Sequence, residues 1–146
     1  MTDYASELRA GIAAVRQAAR LCQTVQRSIT ADALEKKDKS PVTIADFGSQ
    51  AIICKAIGEA FPDDPIVGEE DSAELKEPGN EAFLTRIVAE LTAVGLSGSP
   101  EDACRWIDRG GWNGEGMPGE RFWTLDPIDG TKGFLRGQQY AISLAM

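Results

Sequence analysis

The segment Asp126-Pro-Ile-Asp129 carries two carboxylates at a spacing that can bring them together. Aspartate is favoured at the first position of a type I turn and proline at the second, and such a turn holds its first and fourth residues within about 7 Å. The strand candidate 121–125 precedes the segment, Gly130 permits unusual dihedral angles, and Thr131 can cap a helix whose free N–H groups would face an anion. We therefore predict two oxygen ligands for hard cations beside a phosphate site. The alternative is a plain strand-to-helix turn that Asp126 caps.

A second acidic group, Glu69-Glu70-Asp71, follows the short strand candidate 65–68. Taken alone, this group is typical of a solvated charged loop. Together, the two acidic groups are what a two-cation site requires, because Mg²⁺ ions about 3.5–4 Å apart can share carboxylates and clamp the attacking and leaving oxygens of a phosphoryl group. The pair of acidic groups therefore indicates metal-assisted phosphoryl chemistry.

Thr43-Ile-Ala-Asp46 is a third candidate segment. Its spacing is that of a capping box at the start of a helix. The functional alternative makes Asp46 a base that acts together with a hydroxyl group. The chemistry of these residues alone favours neither interpretation.

The composition of the 146-residue chain limits the remaining chemistry. It contains no histidine, which excludes a Ser-His or Cys-His nucleophile pair, a histidine zinc site and an imidazole base. Its 23 Asp and Glu residues outnumber 15 Lys and Arg residues, for a net charge of −8. Such a charge argues against a nucleic-acid polymer as partner, and an anionic substrate would bind only if cations intervened. Acid–base work must therefore depend on carboxylates, hydroxyls or lysines.

Helices with few strands are expected to position these residues. Apolar residues at steps of three and four predict a long helix from Asp3 to about Ile29 and another from the 43–46 segment to near Phe61. The remaining elements are a helix over 81–94, a short helix from Pro100, a short helix after Thr131, and strands over 65–68, 121–125 and 139–146. This mixed order predicts an α+β layered arrangement.

The cysteines and the distribution of apolar residues along the chain bear on the cellular compartment of the protein. Cys22, Cys54 and Cys104 are scattered in apolar stretches, which predicts buried free thiols in a reducing compartment. The N-terminus has no apolar signal core, and no apolar run approaches the roughly 20 residues that span a bilayer. We therefore expect a cytoplasmic location and no membrane partner.

Two further motifs match known signatures only by letter. Gly114-x-Gly116-x-x-Gly119 has the dinucleotide pattern, but it neither follows a strand nor opens a helix, so we predict a flexible loop. Ile128-Asp129-Gly130-Thr131 is similar to the end of the D-x-D-G-T motif of aspartyl-phosphate phosphatases. Proline occupies position 127, where that mechanism needs its nucleophilic carboxylate, and the spacing excludes it.

Three motifs in order resemble those of the inositol monophosphatase superfamily. They are residues 37–46 (Lys-Asp-Lys-Ser-Pro-Val-Thr-Ile-Ala-Asp), 67–70 (Val-Gly-Glu-Glu) and 123–131 (Trp-Thr-Leu-Asp-Pro-Ile-Asp-Gly-Thr). Within the superfamily, residues 61–70 and 132–137 are most similar to the 3′(2′),5′-bisphosphate nucleotidases. The resemblance covers nearly the whole chain. It implies a layered α/β sugar-phosphatase fold, of which residues 1–146 would be the N-terminal metal-binding portion.

The resemblance also implies roles for individual residues. The implied metal ligands are Glu69, Asp126, Asp129 and the carbonyl of Ile128, with Glu70 as a supporting acid. Asp46 and Thr131 match the pair that orients and activates the attacking water, which favours catalysis over capping for Asp46. The N–H groups of Gly130 and Thr131 match contacts to the substrate phosphate.

The implied activity is Mg²⁺-dependent hydrolysis, with two or three ions, of a small phosphorylated nucleotide. The substrate would be adenosine 3′,5′-bisphosphate and often its sulfated precursor, and lithium sensitivity would be typical. Members of the superfamily are about twice as long, so we expect the C-terminal domain to be absent and the strand over 140–146 to expose an apolar edge. The missing C-terminal half is an expected partner of the chain. The alternatives are an inositol phosphate phosphatase with the same metal site, or a catalytically incomplete fragment.

Overall fold

The computed structural model describes residues 3–31, 40–116, 119 and 121–146. The helices are α1 (Ala5–Arg27), α2 (Ser40–Ala60), α3 (Glu81–Ala93), α4 (Pro100–Asp108) and α5 (Thr131–Leu135). The strands are β1 (Ile66–Val67), β2 (Trp123–Asp129) and β3 (Ala141–Ala145), with a 3₁₀ turn over Glu74–Lys76. Helices around a small mixed sheet confirm the expected α+β class. Residues 37–39 of the first motif lie outside the described ranges.

The sheet has the strand order β1-β2-β3. β1 pairs with β2 in parallel, with Ile66 opposite Trp123, and β3 pairs with β2 in antiparallel fashion, with Leu144 opposite Leu125. Because β1 and β2 run in the same direction, their carboxyl ends lie at the same edge of the sheet. The residues that follow β1 and those that end β2 are therefore neighbours.

Strand β2 extends further than the sequence predicts. The type I turn predicted for Asp126 to Asp129 is wrong, because β3 pairs with β2 as far as Asp129. The pairing register shifts between these two aspartates, where Pro127 has no N–H to donate to a ladder. An irregularity within one strand, and not a turn, therefore separates the two carboxylates.

Helix α2 is the central helix of the fold. It packs against α1, α3, α4, α5 and β2, and its buried residues run from Val42 to Ile57. The structure does not support the capping-box interpretation of Thr43, one of the two that the residues left open, because α2 already includes Ser40 and Pro41. Proline is tolerated in the first turn of a helix, where its missing N–H has no intrahelical partner to lose. Thr43 and Asp46 therefore lie within the helix.

Helix α1 packs along α2. An added Cβ at Gly48 would come within 2.8 Å of Leu21 Cδ1, so glycine permits the close approach of the two helices. The apolar stripe predicted for α1 is buried at Cys22, but Leu8 and Ile12 are 64% and 44% exposed. The stripe is therefore exposed at its N-terminal end and packs against the core from Val15 onward.

Three smaller predictions concern the state of the cysteines, the conformation of the glycine-rich segment and whether any helix could span a membrane. The cysteines are buried and free, as expected. Gly114 and Gly116 have positive φ angles of 88° and 63° in an exposed loop, and the next element of the described chain is β2, so a loop is confirmed there. Within the described ranges, every helix is too short or too polar to cross a membrane.

Candidate active site

Acidic side chains from three segments meet near the carboxyl edge of the sheet. Asp46 belongs to α2, Glu69 and Glu70 follow β1, and Asp126 and Asp129 belong to the end of β2. We call these five residues the acidic cluster. Their charges act on one another across the segments, so the fold brings together the carboxylates that the sequence singles out.

The carboxyl group of Asp46 has a pKa far above the ordinary aspartate value. Burial, followed by the charges of Glu70, Asp126 and Glu69, raises the pKa of Asp46 to about 7. Burial acts because it removes solvation from the ionised form, and each neighbouring carboxylate disfavours a further negative charge. A carboxyl group with such a pKa is poised to exchange a proton near neutral pH.

The same two causes act on other members of the acidic cluster. Burial, followed by the charges of Asp126 and Asp129, raises the pKa of Glu69. Burial, followed first by the charge of Glu69, raises the pKa of Glu70. For Asp126, burial and then the charge of Asp129 raise the pKa, against a hydrogen bond from the Ile128 backbone. The cluster therefore stores electrostatic repulsion.

The oxygen donors of the acidic cluster fit a hard cation. Among the described residues, no lysine or arginine lies within ion-pair distance of the cluster. Asp126 Oδ1 is buried and accepts no hydrogen bond there. A buried anionic oxygen without a donor is costly unless a cation satisfies it, and carboxylate oxygens are the ligands that Mg²⁺ prefers. Across the described ranges, however, no three acidic or cysteine side chains form a closed group that could hold an ion.

Gly130 and Thr131 occupy the junction between β2 and α5. Gly130 is left-handed, with φ 94°, and precedes the first residue of the helix, while its carbonyl accepts a hydrogen bond from Phe134 N at 2.9 Å. The prediction that Thr131 caps this helix is wrong, because Thr131 is the first helical residue and the cap position belongs to Gly130, which has no side chain. Thr131 and Asp129 are both exposed, whereas the Ile128 side chain is buried.

Two buried polar residues of α2 support the acidic cluster, and the sequence reasoning misses both. The Ser49 hydroxyl donates to the Pro127 carbonyl at 3.1 Å, and the Gln50 side chain binds the backbone of Glu70. The available signal is their position three and four residues after Asp46, which places all three on one side of the helix. Two polar residues inside an otherwise apolar helical run mark a face with buried hydrogen-bond partners.

The sequence matches one family of known proteins over nearly its whole length. Residues 3–146 match the model of the inositol monophosphatase family, and the chain belongs to that family. It is 47% identical to a 3′(2′),5′-bisphosphate nucleotidase of Schizosaccharomyces pombe, over 99% of this chain and 44% of the relative. It is 44% identical to 3′(2′),5′-bisphosphate nucleotidase 1 of Arabidopsis thaliana, over 98% of this chain and 43% of the relative. The chain therefore spans less than half the length of the curated relatives it matches.

Proposed function

We propose that this chain is the metal-binding part of a Mg²⁺-dependent phosphatase that removes the 3′-phosphate of adenosine 3′,5′-bisphosphate, and of its sulfated precursor. The observation that carries the proposal is the acidic cluster, whose carboxylates have no cationic partner among the described residues. The names of the similar nucleotidases supply the substrate class.

Each part of the cluster has a role in this proposal. Glu69, Asp126, Asp129 and the Ile128 carbonyl would hold the cations, with Glu70 as a supporting acid. Bound Mg²⁺ would supply charge neutralisation and a more acidic water. The substrate phosphate would accept hydrogen bonds from the N–H groups that follow β2, at Gly130 and Thr131.

Asp46 and Thr131 would orient and activate the attacking water. Asp46 would accept one proton of the water as the water oxygen bonds to phosphorus and the P–O bond to the ribose breaks. The ribose 3′-oxygen would take its proton from a second, solvent water, and Asp46 would return its proton to solvent afterwards. The pKa of Asp46, about 7 in the absence of cations, supports the role, since nearby positive charge would lower it and favour the basic form at neutral pH. No phosphoenzyme is required.

Phosphate release tests this function directly. The 146-residue chain, alone and joined to the remaining sequence of the Schizosaccharomyces pombe relative, would be assayed with adenosine 3′,5′-bisphosphate and with an inositol phosphate. We expect Mg²⁺-dependent turnover of the nucleotide by the joined protein, and loss of at least about 100-fold in Asp129→Asn. Asp63→Asn, an exposed acid outside the cluster, is the matched control. Full activity of Asp129→Asn would refute the assignment of Asp129 as a metal ligand. Faster turnover of the inositol phosphate would make an inositol phosphate, and not the nucleotide, the proposed substrate.

An apolar groove supports the further proposal that the rest of a nucleotidase-length chain packs on this one. The groove has a volume of about 980 Å³ and lies between α1 and the sheet. The large exposed apolar side chains Tyr4, Leu8, Ile12, Phe122 and Met146 all line it. Among the described residues, β3 pairs with β2 alone, which leaves its other edge open for strand addition.

Co-expression tests this packing. We expect the C-terminal part of the Schizosaccharomyces pombe relative to co-purify with the 146-residue chain. Ile12→Glu should prevent co-purification, because it places a charge in the apolar groove. Ala13→Glu adds the same charge to α1 at an exposed position outside the groove and should have no effect. Equal co-purification of both variants would place the contact elsewhere.

A further inference from the structure

Gln50 is a fully buried polar side chain on α2, one helical turn after Asp46. Its Nε2 donates to the carbonyl of Glu70 at 2.6 Å and to the carbonyl of Ile107 at 3.0 Å. Its Oε1 accepts from the backbone N–H of Glu70 at 3.0 Å. Both amide hydrogens and one acceptor site are therefore used, and the Glu70 backbone is held at its N–H and its carbonyl.

The Gln50 side chain fits in its buried position because two residues that pack against it, Gly68 and Gly110, are glycines. An added Cβ at Gly68 would lie 2.5 Å from Gln50 Oε1, and one at Gly110 would lie 3.0 Å from Gln50 Nε2. The two glycines also bind each other, since Gly68 N donates to the Gly110 carbonyl at 2.7 Å. The side chain therefore occupies a slot whose walls are backbone, where a small displacement of the amide would move the segment that carries Glu69 and Glu70.

We propose that Gln50 is a positioning residue that joins the backbone of Glu70 to α2, and so sets the place of Glu69 and Glu70 relative to Asp46. The inference rests on the proposed metal site. Ser49, the preceding residue, binds the Pro127 carbonyl and so contacts the strand that carries Asp126. Helix α2 thus bears one acid of the cluster and sets the positions of the two segments that bear the others.

Gln50→Met tests the proposal, because methionine keeps the length and approximate volume of the side chain and removes its hydrogen bonds. Gln17→Met is the matched control, since Gln17 Nε2 donates to the Val94 carbonyl at 3.2 Å, between α1 and the end of α3. Three quantities are measured on the 146-residue chain: Mn²⁺ affinity by electron paramagnetic resonance, hydrogen exchange of the Glu70 amide, and the thermal midpoint.

We expect Gln50→Met to weaken Mn²⁺ binding about tenfold and to increase exchange at Glu70, because residues that hold metal ligands in place affect affinity to that extent. Gln17→Met should change neither quantity, although both substitutions lower the thermal midpoint. A folded Gln50→Met protein with unchanged Mn²⁺ affinity or unchanged Glu70 exchange would overturn the proposal.

Two further outcomes stay informative. If Gln50→Met does not fold, Gly68→Ala serves instead, because the added methyl group would displace the Gln50 amide. This variant should show the same loss of Mn²⁺ affinity. Unchanged affinity in Gly68→Ala would overturn the proposal. If the wild-type chain binds no Mn²⁺, the proposed metal site fails, whereas hydrogen exchange at Glu70 still decides whether Gln50 holds that segment.

Discussion

Two acidic regions of this chain accommodate carboxylates in opposite ways. In the first, which we call the paired region, Arg121 contacts Glu7 at 2.6 Å and Asp64 at 3.0 Å, and Trp123 Nε1 donates to Asp64 at 3.0 Å. In the acidic cluster, no described lysine or arginine lies within ion-pair distance of the carboxylates, and Asp126 Oδ1 accepts no hydrogen bond from the described residues. The same fold therefore supplies cationic partners in one place and leaves them out in another.

The pKa of Glu7 in the paired region shifts in the opposite direction from the pKa values of Asp46 and Asp126 in the acidic cluster. Hydrogen bonds from Ser6 and from the backbone, and then from Arg121, lower the pKa of Glu7. Burial and mutual repulsion raise the pKa of Asp46 to about 7 and also raise that of Asp126. The surroundings therefore favour the ionised form of Glu7 and disfavour the ionised forms of Asp46 and Asp126. Acids that are kept at such a cost are typical of functional sites.

The largest expected effect on stability comes from removing the cation of the paired region. Arg121→Met leaves Glu7 and Asp64, whose side chains are both 11% exposed, without their shared partner. We expect the thermal midpoint to fall by roughly 10 °C, because an unpaired carboxylate in a poorly solvated position is strongly destabilising. Differential scanning calorimetry measures the change. Arg105→Met, which breaks the i, i+3 pair with Asp102, is the control, because the Asp102 side chain is 32% exposed and stays better solvated without its partner. An equal fall there would remove the distinction of the paired region.

The acidic cluster should respond to Mg²⁺ and pH. Its raised pKa values mean that the folded chain binds more protons than the unfolded chain between the ordinary aspartate value of 3.8 and about 7. The contribution to stability is complete below the unfolded pKa and is lost as pH rises through the folded pKa. The metal-free chain should therefore be less stable in urea at pH 8 than at pH 5. Mg²⁺ at about 100 times its Kd should add about 2.7 kcal/mol at pH 8.

This effect has a clear contrary result. Equal urea midpoints with and without Mg²⁺ at pH 8 would show that the cluster does not bind the cation in this chain. Ca²⁺ at matched concentration separates a site specific for a small cation from general neutralisation of acids, because the two ions prefer different distances and coordination numbers.

A smaller effect, opposite in sign to that of Arg121→Met, is expected for Asp46→Asn. Removing this half-buried charge should stabilise the metal-free chain at pH 8 by roughly 1–2 kcal/mol, after allowance for solvent screening. Little gain is expected at pH 4, where Asp46 is protonated in the folded chain. Urea unfolding at the two pH values measures the difference. A loss of stability at pH 8 would mean that Asp46 makes a structural contribution larger than the repulsion it suffers.

The residue pattern predicts four of the five acids of the cluster because they depend on features close together in the chain, whereas a site role for Asp46 is favoured only by the resemblance to the family. Glu69 and Glu70 follow a short β-rich run, and Asp126 and Asp129 follow another. Once two such runs pair in parallel, their acids must meet. The observed pairing of β1 with β2 is the one step that local patterns do not specify.

The errors arise where distant contacts override a local pattern. Asp126 to Asp129 has a turn sequence, but pairing with β3 keeps it in the strand. Leu8 continues the apolar stripe of α1, but nothing in the periodicity shows which surface it faces. Gln50 would be expected at an exposed position by composition, and only the neighbouring glycine backbones explain its burial. Such partners come from other elements, so their roles are set by tertiary packing.

The smallest effect is expected for Glu59→Gln. This variant tests whether the stabilisation expected of Asp46→Asn comes from the burial of Asp46 or merely from its position on α2. Glu59 lies on the same helix and contacts Lys55 at 2.6 Å in an i, i+4 pair, with its side chain 68% exposed. Neutralising it removes one exposed pair, so the free energy of unfolding should change by no more than about 0.5 kcal/mol, in the destabilising direction and less at high salt. Urea unfolding at low and high salt measures this. If Glu59→Gln instead stabilised the chain as much as Asp46→Asn, the cause of the destabilisation would be excess negative charge along the whole of α2. The buried position of Asp46 within the cluster would then not be the cause.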